Sequence, residues 1–319
     1  MVQRRRVYFA VSGTIIGLGL LVMIYSMVTE GTLFRLGIDF VGGSIYELQF
    51  TEPGATEANI REVFEANGNT GTTIQRLGDE DEYRWSVRAS FQDNEIQSAI
   101  IDQLETIVPL DRDSLRIEQV SETVGQEVAQ AAFWAVFVAA IVVTGFIVLA
   151  FRQVPNAFRY GVCAIAAMVH DILVVAGLIS LAGLLLGWEV DALFLTAILT
   201  VAGFSVQDSI VVFDRIRENI PKHIGEPYEI IVNRSILETI HRSLATQLNA
   251  FFVMIAILLF GGESIQQFIA TLFVGLLTGT YSSIFIAVPL LVSWEKGEIP
   301  FLNRGQRSLP SPTPTQAET

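Results

Sequence analysis

The chain has 319 residues, 51% hydrophobic and 17% charged, with a formal net charge of −13 and one cysteine. Such a composition excludes an ordinary soluble domain, and the lone Cys163 excludes a disulfide within the chain. The charge is local. Residues 30–127 hold 20 acids against 7 bases and the remainder balances, so no basic surface suited to nucleic acid is expected.

In chain order, a basic N-terminus (1–6) precedes a first apolar run at 7–28. That run is too long for a cleavable signal sequence and lacks an A-x-A-like site. Further runs follow at 129–151, 160–187, 192–213, 244–261 and 265–294. At about 1.5 Å per residue each crosses, or nearly crosses, a hydrocarbon core of about 30 Å. Six transmembrane helices are predicted, embedding the chain in a lipid bilayer.

The bases set the orientation. Arg4, Arg5, Arg6, Arg152, Arg159, Arg215, Arg217, Lys222, Arg234, Arg242, Lys296, Arg304 and Arg307 all fall on one side, whereas the short loops 187–191 and 261–264 carry none. Both termini are therefore expected in the cytoplasm and residues 29–128 outside it. The segment 214–243 is expected to be a cytoplasmic loop, in which 228–241 forms an amphipathic helix lying on the membrane surface. The Pro/Ser/Thr-rich tail, 295–319, is expected to be disordered.

The segment 29–128 reads as a small α+β domain. "SIYELQF" alternates as a strand, and "TEANIREVFEANG" is a helix with Thr56 as its N-cap. "TTIQRL" and "YRWSVRAS" pair around the turn "GDEDE". "DNEIQSAIIDQLETIV" is a second helix, with Ile96, Ile100 and Leu104 in line, and "SLRIEQVSETV" closes as a strand. The order β-α-β-β-α-β is ferredoxin-like. The segment has no His or Cys, no nucleophile with a base, no metal-ligand cluster and no phosphate loop, so no cofactor and no metal are expected.

The chemistry lies in the few ionisable groups of the spans. Asp208 stands six residues before Asp214 in "GFSVQDSIVVFDRIREN", with "SIVVF" still to follow. A carboxylate at that depth costs a few kcal/mol and faces a bundle interior or a wet cavity. Arg242, at the start of the fifth span, is the expected partner. Arg242, Thr246 and Asn249 share one helix face, and Ser205 lies one turn before Asp208. Two readings stay open: a static interhelical salt bridge, or a pair whose separation lets Asp208 take up a proton and so couples cation entry to movement. His170 and Asp171, deep in the third span, form either a relay toward Asp208 or interhelical hydrogen bonds. "GTIIG" (13–17) and "GLLTG" (275–279) are small-xxx-small spacings for close helix approach.

"GIDFVGGS" (37–44), "GFSVQDSIVVFDRIREN" (203–219) and "HRSLAT" (241–246), in this order and placement, resemble the SecF family of protein-export subunits. The likeness spans about residues 7–295 and is borne after the first span by Gly37, Asp39, Gly42 and Gly43. It implies a protein of the RND-type superfamily in a bacterial inner membrane, not an enzyme. It further implies action with SecD on the SecYEG translocon, where a cation gradient draws a translocating polypeptide outward after the SecA steps. Asp208 matches the family's membrane carboxylate, and Arg242 its fifth-span arginine. Two other classes compete. A stand-alone small-molecule exporter of RND type would carry two halves and larger external domains. An intramembrane aspartyl protease would need Asp171 and Asp208 close enough to share a proton, and the G-x-G-D context is missing.

Overall fold

The structure is a computed structural model, and it describes residues 2–150 and 157–298. Arg152, Arg304, Arg307 and nearly all of the tail expected to be disordered lie outside the described residues. Among the described residues, six helices are long and apolar enough to span a membrane: Val2–Thr29, Glu122–Ala150, Phe158–Leu186, Ala192–Lys222, Tyr228–Phe260 and Ile265–Glu295.

The first span is α1 (Arg5–Thr29). A short turn, α2 (Ile38–Val41), leads into the sheet domain of β1 (Gly43–Gln49), α3 (Glu57–Ala66), β2 (Thr73–Leu77), β3 (Arg84–Ala89), α4 (Asn94–Ile107) and β4 (Arg116–Val120). The strands run in the order β2-β3-β1-β4 with every pair antiparallel, the split βαβ arrangement of a ferredoxin-like domain. Period-two alternation sends Tyr46, Leu48, Trp85 and Val87 to one face, where α3 and α4 cover them with Ile60, Phe64, Ile100 and Leu104. Thr56 caps α3 by accepting from the Asn59 amide at 3.3 Å. Ile96 is exposed, so the buried stripe of α4 is carried by Ile100 and Leu104. The buried Tyr46 hydroxyl donates to Gln92 Oε1 at 2.8 Å. The other sheet face, with Ile45, Thr73, Ser86, Arg88 and Glu118, looks toward the helix bundle across a cleft of about 400 Å³.

The remaining helices are α5 (Glu122–Ala150), α6 (Ala157–Leu186), α7 (Ala192–Lys222), α8 (Tyr228–Phe260), α9 (Glu263–Ser282) and α10 (Val288–Glu295). One π-helical turn, Ser283–Ala287, joins α9 to α10. Pro289 follows it and has no N–H to give to a preceding carbonyl, which suits a local widening of the helix. Tyr160, Ala164, Phe213, Ile216, Ile236 and Leu291 form the bundle core.

The stretch 214–243 differs from the sequence reading. α7 continues to Lys222, and 228–241 is the first half of α8, without a break before the fifth span. Part of the stretch packs on α7 rather than on lipid: Ile231, Val232, Ser235, Ile236 and Thr239 are buried, whereas Ile230 and Leu237 are exposed. Asn219 Nδ2 donates to Ser235 Oγ at 3.0 Å, and Arg215 Nε to Glu238 at 2.6 Å. An amphipathic pattern fits a protein groove as well as a membrane surface, and here α7 supplies the groove.

Packing glycines also fall differently. A Cβ on Gly13 or Gly17 would meet nothing, whereas one on Gly19 would lie 3.1 Å from the Gly177 Cα, which makes Gly19 and Gly177 the contact between α1 and α6. Gly275 and Gly279 do face α7, against Val201 and Ser205.

Candidate functional site

α7 and α8 form an antiparallel helical hairpin, and the side of α8 that meets α7 recurs every three or four residues: Val232, Ser235, Ile236, Thr239, Ser243, Gln247. That register brings Gln247, not Arg242, to Asp208. Gln247 Nε2 donates to Asp208 Oδ2 at 2.7 Å, and both side chains are buried. Arg242, Thr246 and Asn249 do share a face, as expected, but it points out of this chain and all three are exposed. Thr246 Oγ1 donates back to the Arg242 carbonyl at 3.0 Å. Among the described residues Arg242 makes no ion pair, so the expected Asp208–Arg242 bridge is replaced by a neutral amide donor. Asp214, inside the helix rather than at its exit, pairs with Arg217 at 2.7 Å.

His170 and Asp171 lie on α6 against α7 and α9. His170 Nδ1 and Asp171 Oδ1 are 2.9 Å apart, and Ser282 Oγ donates to Asp171 Oδ2 at 2.7 Å. Asp171 is fully buried. Gly279 keeps this place open: a Cβ there would lie 3.7 Å from Asp171 Oδ2 and 3.5 Å from the Ser205 Cα. Ser205, one turn before Asp208 on α7, and Asp171 thus border the same place. The hydroxyls of Ser205 and Ser209 and the Nε2 of His170 are buried without a hydrogen-bond partner. The His170 ring stacks on Tyr281 at 6.2 Å, and Ser12 of α1 donates to the Tyr281 hydroxyl at 3.4 Å. A polar track therefore crosses the bundle from α8 through α7 and α6 to α9. Asp171 and Asp208 share no hydrogen bond, which removes the protease geometry. Among the described residues no three His, Cys, Asp or Glu gather as a metal site.

Sequence reasoning missed Gln247, Ser282 and Ser209. Gln247 had a signal, for it follows Ser243 by four residues and so shares a polar helix face with it.

Gly37, Asp39, Gly42 and Gly43 stand at the other end, where the sheet domain meets the bundle. Asp39 Oδ2 accepts from the Ala192 amide at 2.9 Å, in the first turn of α7, beside the α7 N-cap Asp191, which accepts from Phe194 at 2.7 Å. Gly42 and Gly43 have φ of 78° and 131°, and a Cβ on them would lie 2.8 Å from Glu122 and 2.9 Å from the Ala89 carbonyl. Burial pushes the carboxyls of Glu189 and Asp191 above their ordinary range; the Arg88 guanidinium partly offsets this at Glu189, and the backbone amide of Phe194 partly offsets it at Asp191.

Residues 99–297 match the family described as protein export membrane protein SecD/SecF, C-terminal, and residues 34–53 match the SecD/SecF GG motif. The chain belongs to the SecD/SecF family, as a SecF subunit. It is 45% identical over 298 residues to the protein translocase subunit SecF of Anaerolinea thermophila, covering 92% of this chain and 94% of that one. The SecF of Thermobaculum terrenum is 39% identical over 303 residues, covering 91% and 95%. Among solved structures, SecDF of Thermus thermophilus, a translocon-associated membrane protein, superposes with a TM-score of 0.76 at 30% identity. That match covers 92% of this chain and 38% of the SecDF chain. SecDF in its super-membrane-facing form gives a TM-score of 0.62 at 29% identity. This SecF is thus a multi-pass membrane protein and an accessory of protein transport. The GG-motif match includes the 37–43 turn, and the C-terminal match includes the Asp208 segment of α7.

Proposed function

We infer that this SecF subunit works with SecD to couple a transmembrane cation gradient, carried by protons, to export of polypeptide through SecYEG after the SecA-driven steps. The membrane is the bacterial inner membrane, with both termini cytoplasmic and the sheet domain outside it. One observation carries the reading: Asp208 is a buried carboxylate in the middle of a membrane helix, held by a neutral amide and not by a fixed cation. In this arrangement the group can take up or release a proton with no salt bridge to break first. Arg242 engages Asp208 in the alternate state, and its separation from Asp208 here is the arrangement suited to the protonated acid. His170, Asp171 and Ser205 are the inner stations of the proton path, supported by the place of Asp171 and Ser205 beside Gly279 and by the unpartnered His170 Nε2 and Ser205 Oγ. Thr246 and Asn249 keep the Arg242 face polar. One charge crossing 100 mV releases about 2.3 kcal/mol, enough for one or a few protons to shift a domain.

The test is Asp208→Asn, which keeps the size and the hydrogen-bond acceptor and removes the titration. In membrane vesicles energised without ATP, export driven by the gradient is expected to disappear while ATP-driven export persists. Undiminished gradient-driven export would overturn the reading.

A further inference from the structure

The 37–43 motif takes no part in the carboxylate chemistry, yet it sits where the sheet domain meets three membrane helices. α1 feeds into it through 30–36, where Ser180 of α6 donates to the Leu33 carbonyl at 2.9 Å. Leu36 then pairs with Val190 in a parallel bridge: the Gly37 amide donates to the Val190 carbonyl and the Val190 amide to the Arg35 carbonyl, each at 2.7 Å. Arg88 of β3 spans the same joint. Its Nη2 donates to the Leu36 carbonyl at 2.7 Å and its Nη1 pairs with Glu189. Gln267 of α9 holds the Glu189 carbonyl from the other side.

At its glycines the joint brings backbone against backbone, beside the cleft between sheet and bundle. A Cβ on Gly37 would lie 3.1 Å from the Val190 carbonyl, and one on Gly125 of α5 would lie 2.8 Å from the Gly42 amide. The Asp39 carboxylate closes the joint on α7. It accepts from Ala192 at the positive end of a helix of 31 residues, where a negative charge is favoured. Asp208 lies 16 residues further along that same helix, about 24 Å away.

We propose that the 37–43 motif is a clamp in which Asp39 seats the sheet domain on the first turn of α7, so that the domain and the helix bearing Asp208 move as one body. Asp39 is a positioning residue in this scheme. The joint is bound from β3, α7 and α9 at once, and a hinge would have to break these contacts together. Movement begun at Asp208 then reaches the sheet domain through one rigid helix and one clamp. The functional consequence rests on the reading of Asp208 given above, but the clamp itself is measurable without it.

The experiment places spin labels at Ser98→Cys on α4 and Thr196→Cys on α7, in a Cys163→Ala background. The full chain is reconstituted with SecD in liposomes. A single narrow distance is expected. Asp39→Asn keeps it, because the amide oxygen still accepts from Ala192, whereas Asp39→Ala broadens the distribution at least twofold. Adding Leu36→Cys and Val190→Cys and oxidising them across the bridge restores the narrow distance to Asp39→Ala. In translocating vesicles, Asp39→Ala lowers gradient-driven export several-fold and oxidation of that cross-link recovers it. A broad distance in the unsubstituted protein, or an Asp39→Ala distribution that matches it, overturns the clamp. Export that stops on oxidation and returns on reduction makes the joint a hinge and also overturns it. Asp208→Asn is expected to keep the narrow distance, so normal export by that variant would remove the gradient reading and leave the clamp standing.

Discussion

At the scale of the residue, Asp208 was visible in the sequence because a carboxylate inside an apolar run is costly wherever the run folds. Its partner was not. Charge complementarity and depth favoured Arg242, but a helix turns by about 100° per residue, and depth says nothing about rotation. The face of α8 that meets α7 is chosen by the packing of Val232, Ile236 and the small polar residues between them, which brings Gln247 inward and leaves Arg242 outward. This gives a prediction that separates the two residues. A hydrogen bond contributes about 0.5–1.5 kcal/mol to a neutral acid and about 1.5–3 kcal/mol to a carboxylate, and its loss leaves a buried acceptor unsatisfied at a cost of about 1–3 kcal/mol. At about 1.4 kcal/mol per factor of ten, Gln247→Leu is expected to change any equilibrium that depends on Asp208 by about tenfold or more. Gradient-driven export should fall accordingly, and the melting temperature of the purified protein should drop. Gln247→Glu, which cannot donate when ionised, should behave no better. If Gln247→Leu exports normally while Arg242→Gln does not, Arg242 is the working partner throughout the cycle.

At the scale of the element, the six apolar runs and the βαββαβ order were legible because both rest on periodicity, which survives without knowledge of neighbours. Continuity was not. Polar residues such as Arg215, Asn219 and Glu238 suggested that the helices stop near the membrane face, yet they are satisfied by one another across α7 and α8, so both helices continue past it. Glycine spacing misled in the same way. "GTIIG" in α1 has the right period, but Gly13 and Gly17 face nothing in this chain, and α1 meets α6 two residues later at Gly19. A motif gives the spacing that close approach requires, and the partner helix decides which glycine is used. Gly177 tests this. A Cβ there would lie 2.7 Å from the Gly19 Cα, so Gly177→Val has to push α1 from α6. Overpacking of this kind costs about 1–3 kcal/mol. A clear fall in thermal stability is expected for Gly177→Val, against little or none for Gly13→Val. Equal effects at the two positions would mean that α1 seats on α6 differently.

At the scale of the whole molecule, the bundle has a face that one chain leaves unfinished. Gln207 on α7 and Arg242, Thr246 and Asn249 on α8 are exposed, at or near membrane depth, where lipid offers no hydrogen bonds. Polar side chains in such positions gather where another helix bundle can satisfy them. The similar SecDF chain is longer, this chain matching 38% of it, which supports SecD as the partner that covers this face. α1 offers a contrast, since Leu18, Leu21 and Ile24 are exposed and wholly apolar, as a lipid-facing helix should be. In native membranes, Asn249→Cys is therefore expected to form a cross-link to a cysteine scanned along the membrane helices of SecD. Leu21→Cys, exposed to the same reagent, should be labelled but give no cross-linked product. The polar stripe also predicts the sense of the energetics. Asn249→Leu makes the face more compatible with lipid and should weaken co-purification of SecD in mild detergent without lowering the amount of this chain in the membrane. Strong cross-linking from Leu21 and none from Asn249 would place SecD on α1 and leave Arg242 facing lipid, an arrangement in which it could not return to Asp208 through a protein-lined route.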